Sequence, residues 1–116
     1  SDADADPDFE WAGTYPSEMN LVSDIGFDLC SGEIDIEVRG DGSFSGVGVC
    51  GGSVGSDADV TINGNFDASF EADGTALMES ALGTDTFELS GDIGEDGLFL
   101  EWRVDTFFAT AILTSD

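Results

Sequence analysis

The stretch "GEIDIEVRGDGSFSGVGVC", Gly32 to Cys50, alternates along its length. Ile34, Ile36 and Val38 fall on one side of an extended chain. Glu33, Asp35, Glu37 and Arg39 fall on the other, because successive side chains of a strand point to opposite faces. A helix would scatter the three apolar residues around its circumference, so the pattern demands β structure. Gly40-Asp41-Gly42 supplies the turn, since these residues accept positive φ at little cost. The return strand sets Phe44, Gly46 and Gly48 against Val47 and Val49. Glycines inside a strand predict close approach by a bulky neighbour.

The same period recurs downstream. Val60, Ile62, Gly64, Phe66, Ala68 and Phe70 alternate, then Phe87, Leu89, Gly91 and Ile93, then Leu98, Leu100, Trp102 and Val104. Phe107, Ala109, Ala111 and Leu113 predict a last strand. Asp73-Gly74 and Asp96-Gly97 read as turns. "TALMESALG" carries helix formers, with Thr75 as a possible cap and Gly83 as a stop. Its place in a meander favours a strand over Thr75–Leu82. The expected fold is therefore all-β: an antiparallel meander of about seven to nine strands, closed as a small barrel or stacked as a sandwich. The expected core is Trp11, Ile34, Ile36, Val38, Phe66, Phe87, Leu89, Leu100, Trp102 and Val104.

The 116 residues suit one domain. Residues 1–9, "SDADADPDF", read as an acidic leader and residues 10–116 as the β domain. The apolar share of 41 % can form a core, which argues against simple disorder. No stretch approaches the roughly eighteen apolar residues of a helical membrane span.

Charge excludes more than it identifies. There are 26 acids against two basic residues, Arg39 and Arg103, for a net charge of −24. Nucleic-acid binding needs clustered Lys or Arg, and so does docking on anionic membrane. Both are excluded as functions. Such charge repels itself at low ionic strength. Near 1 M salt the Debye length falls to about 3 Å and the repulsion is screened.

Cys30 and Cys50 flank the first hairpin, and its pairing would bring them together at the open end. A disulfide there is expected, contributing about 3 kcal/mol by the loop-entropy model. It implies an extracellular, cell-surface or periplasmic setting. A zinc site is not expected, because two cysteines without histidine leave the ligand set incomplete.

Catalytic chemistry finds little purchase. "GGSVG" fits the G-x-S-x-G form around Ser53, but the chain has no histidine and cannot build the usual triad. A carboxylate pair needs no histidine, yet 26 acids give no way to select one. Calcium is the one credible cofactor, since it takes oxygen ligands. Asp2, Asp4, Asp6 and Asp8 would share one face of an extended leader, and Asp57 and Asp59 lie in a second acidic loop. The EF-hand pattern itself fails, with Pro7 at the sixth position and Gly13 where the acid belongs.

"WAGTY", Trp11 to Tyr15, followed by a glycine-turned meander, resembles the first strand of avidin-like and lipocalin-like barrels. That resemblance implies barrel topology and, as an alternative function, a small-ligand- or glycan-binding barrel. The absence of lysine resembles the composition of secreted proteins from halophilic or marine bacteria. The leading expectation is a non-enzymatic extracellular β domain with a structural, adhesive or assembly role. Its expected partner is itself, as a homo-oligomer or filament, or another surface protein.

Overall fold

A computed structural model describes residues 9–52, 57–80, 83–105 and 108–115. Eight strands follow one another: β1 Gly13–Ser23, β2 Asp28–Val38, β3 Ser43–Gly52, β4 Ala58–Phe66, β5 Glu71–Ser80, β6 Gly83–Gly94, β7 Gly97–Val104 and β8 Ala109–Ser115. Each pairs antiparallel with the next, and β8 returns to β1, closing a barrel. Closure leaves an eight-stranded interior that side chains alone can fill. The described residues contain no α-helix. "TALMESALG" is β strand through Ser80, with Ala81 and Leu82 outside the described residues.

The alternation does what it predicts. Ile34, Ile36, Val38, Phe44, Val60, Ile62, Leu89, Leu100, Trp102 and Val104 all point inward and are buried. The strand glycines make room for them. In the hairpin register Gly46 faces Ile36 and Gly48 faces Ile34, and a Cβ on either glycine would run into the isoleucine side chain. Cys30 and Cys50 are joined as a disulfide, with Cα atoms 5.3 Å apart, inside the separation a disulfide requires.

Three expectations need correction. Asp73-Gly74 is not a turn. Both residues lie inside β5, where Gly74 stands opposite Gly64 so closely that a Cβ would strike the Asn63 carbonyl. The turn is made earlier, by Asp67, whose Oδ1 accepts from the backbone N–H groups of Ser69 and Glu71 at 2.8 and 3.1 Å. An aspartate that bonds its own following backbone makes the turn without Asp-Gly chemistry. The β4 pattern accordingly stops at Phe66: Ala68 is exposed, and Phe70 sits in the turn at φ 65°. Finally, Trp11 and Phe87 are only half-buried, because each lies near an end of the barrel, where neighbours cover one side. Phe107, expected in the last strand, lies outside the described residues.

The meander sorts its connections between two ends. The β2–β3, β4–β5 and β6–β7 turns share one end with residues 9–12, and there the chain plugs itself. Phe9 donates its N–H to the Gly40 carbonyl at 2.8 Å. Its ring stacks on Phe66 at 5.6 Å and meets Phe70 edge-on at 5.7 Å. Phe44 lies 4.8 Å from Phe66, and Trp11 packs edge-on to Phe70. The Tyr15 hydroxyl donates to the Trp11 carbonyl at 2.5 Å, and burial raises its pKa above the ordinary tyrosine value. Phe70 thus uses its strained backbone to place a ring in this cap.

Candidate interaction surface

The β1–β2 and β7–β8 connections share the opposite end. The first is a tight turn. Ser23 N–H donates to the Phe27 carbonyl at 2.8 Å, Phe27 N–H to Ser23 Oγ at 3.0 Å, and Gly26 N–H to the Ser23 carbonyl at 2.9 Å. Gly26 takes φ +94°, which a side chain would resist. In the second, Phe108 N–H donates to the Asp105 carbonyl at 3.1 Å. One backbone bond ties the two connections, from Asp24 N–H to the Phe108 carbonyl at 2.8 Å.

A charge clamp reinforces that bond. Arg103 Nη1 and Nη2 donate to Asp24 Oδ1 and Oδ2 at 2.6 and 2.8 Å. Arg103 Nε donates to Asp105 Oδ1 at 3.1 Å, and Nη1 also reaches Thr110 Oγ1 at 3.3 Å. The two-pronged geometry fits the planar guanidinium. The hydrogen bonds from Arg103 hold the Asp24 carboxyl below its ordinary range, against the opposing effect of desolvation. The guanidinium is pushed further up by the bonds to Asp24 and then Asp105. Arg103 follows Glu101 by two positions on its own strand. The structure directs it instead across β8 to Asp24. Arg39, by contrast, does lie by Glu37, at 3.7 Å.

On this braced pair of connections stand Ile25, Phe27 and Phe108, which are 80 %, 65 % and 70 % exposed. Phe108 holds φ 51°. Positive φ is unfavourable for a bulky residue. Phe70 is held likewise, but its ring is packed, whereas the Phe108 ring faces solvent. Together the three side chains expose apolar area on the order of 400 Å², the size of the largest apolar patch on an ordinary monomer, which is often functional. The other large exposed apolar residues among the described residues are Val47 and Val49 on the outer face of β3. They stand between polar neighbours, opposite Asp35 and Thr61 and opposite Asp59, and single exposed valines are ordinary.

The expected site residues are placed differently. Asp2, Asp4, Asp6 and Asp8 lie outside the described residues, as does Ser53. Asp57 accepts from the Gly52 N–H at 3.4 Å. Asp59 faces Glu79 across the β4–β5 ladder. The pair is not brought into a metal cluster, and no group of three potential ligands occurs among the described residues. A depression of about 140 Å³ on the outer wall is lined by Pro16, Ser17, Glu18, Glu33 and Asp35, smaller than a typical ligand site. The barrel interior is occupied by Phe44, Met19, Ile34, Ile36, Ile62, Leu98, Leu100 and Leu113, each almost wholly shielded from solvent. Sequence reasoning missed Ile25, Phe27 and Phe108. The signal was present in "SDIGFD", where two large apolar residues sit inside a Ser/Asp/Gly turn. No protein-family model, curated protein or solved structure matches the chain.

Proposed function

We propose that this protein is a non-enzymatic extracellular β domain with a structural, adhesive or assembly role, acting through the loop end that carries Ile25, Phe27 and Phe108. The observation that supports the reading is the contrast between the two barrel ends. One end spends its aromatic residues on its own cap. The other holds three large apolar side chains in solvent on connections fixed by Arg103 and Asp24. Fixing an apolar surface in advance lowers the cost of ordering it on binding. The disulfide supports an oxidising setting, either outside the cell or in a periplasm. The side-chain-filled interior argues against the ligand-binding barrel that "WAGTY" suggested. The test is the size of material isolated under native conditions, compared with an Ile25→Ser, Phe27→Ser, Phe108→Ser variant. The natural chain should sediment in a complex larger than the chain alone, and the variant as a folded monomer. An assembly unchanged in the variant would overturn the reading.

A further inference from the structure

Resting on that reading, we infer that the loop end takes a protein or peptide partner with an apolar centre ringed by lysine and arginine, not a second copy of this chain. Area comes first. A stable interface buries about 800 Å² on each partner. The apolar patch supplies about half of that, so contact must spread onto the surrounding surface.

That surface is acidic. Asp24 and Asp105 share one arginine, Arg103, so that cluster keeps a net negative charge, and Asp28 and Asp57 lie at the same end. Burying carboxylates against a surface with no positive charge is costly, and complementary charge is what selects a partner there.

A second copy cannot supply it. The chain has two basic side chains. Arg103 belongs to the loop end itself and is engaged by Asp24 and Asp105. Arg39 lies at the far end and donates to Ser43 and Ser45 at 3.1 and 2.6 Å. Two copies meeting through their loop ends would place carboxylates against carboxylates. A basic rim instead offsets the net negative charge of this end while its apolar centre covers Ile25, Phe27 and Phe108. Lysine is absent from this chain, so the complement has to come from another molecule.

Calorimetric titration of the intact disulfide-bonded protein in about 0.15 M salt tests this with three synthetic probes. The probes are an amphipathic leucine/lysine helix, oligolysine of equal charge, and a leucine/glutamate helix of the same length. The leucine/lysine helix should bind at least about ten-fold more tightly than oligolysine, a step of the size expected from covering apolar side chains. The Ile25→Ser, Phe27→Ser, Phe108→Ser variant, checked for an unchanged melting temperature, should lose that advantage while still binding oligolysine. The leucine/glutamate helix should not bind. Equal affinity of the variant for both cationic probes and an unchanged ten-fold advantage in the natural chain is the expected pattern. If the variant keeps the advantage, the patch is not the docking surface and the functional reading falls as well. If the leucine/glutamate helix binds equally well, or the natural chain self-associates through these residues in the same salt, the docking end stands and the basic-partner inference is overturned.

Discussion

Trp102 projects into the barrel from β7, opposite Leu89 on β6 and Ala111 on β8. It is 2 % exposed, and its indole N–H points at Met78 Sδ, 3.5 Å away. Trp102→Ala removes a large buried ring and should cost about 3–5 kcal/mol in denaturant unfolding. Asp24 tests the surface chemistry. Its native pKa is lowered by Arg103, so the unfolded chain binds its proton more readily than the folded one. The stabilisation is therefore complete above the ordinary aspartate pKa and is lost as pH falls through the lowered native value. The stability difference between the natural chain and Asp24→Asn should be steady near neutrality and vanish in acid. It should also shrink with salt, because the pair is solvent-exposed. No residue near Asp24 in sequence announces this contact. Its partner lies 79 positions away, and only barrel closure brings β1 and β7 to the two sides of β8.

The β2–β3 hairpin was the most legible element. Its inward residues alternate without interruption, and Gly42 takes φ +89° in the turn. The Cys30–Cys50 bond spans 20 positions, so its removal should destabilise by about 3 kcal/mol. Unfolding of a Cys30→Ser, Cys50→Ser variant measures this, and thiol labelling of the denatured, unreduced natural protein should find no free cysteine. The β4–β5 turn was less legible. Asp-Gly is a strong hairpin signal, but Asp73-Gly74 sits where two strands touch backbone to backbone, a use of glycine that local sequence cannot separate from a turn. Pro16 shows the same limit. It is tolerated in β1 because the described β8 pairing reaches only to Glu18, and a strand proline needs a side without a ladder hydrogen bond. Ile25, Phe27 and Phe108 were passed over for a different reason. Periodicity assigns apolar residues to strands, and it gave the double phenylalanine at 107–108 to β8 when Phe108 precedes that strand.

Closing the barrel arranges the acids as well as the core. Glu18 faces Glu33, Asp59 faces Glu79, and Glu71 faces Asp92 in directly opposed positions. Like charges so placed destabilise a sheet, and neither arginine lies between any of these pairs. The melting temperature should therefore rise with sodium chloride, steeply at first and then levelling toward 1 M as the Debye length approaches about 3 Å. Calcium chloride at matched ionic strength should give an additional rise that is lost when residues 1–8 are removed. Equal curves for the two salts would leave screening as the whole effect.

The claim that one end of the barrel is built to dock is tested most directly by hydroxyl-radical footprinting of the protein in its native assembly against the isolated chain. Ile25, Phe27 and Phe108 are predicted to become protected, while Val47 and Val49 on the outer wall keep their reactivity. Protection confined to the β3 face, or to Phe9 and Trp11 at the capped end, with the three loop residues still reactive, would contradict it.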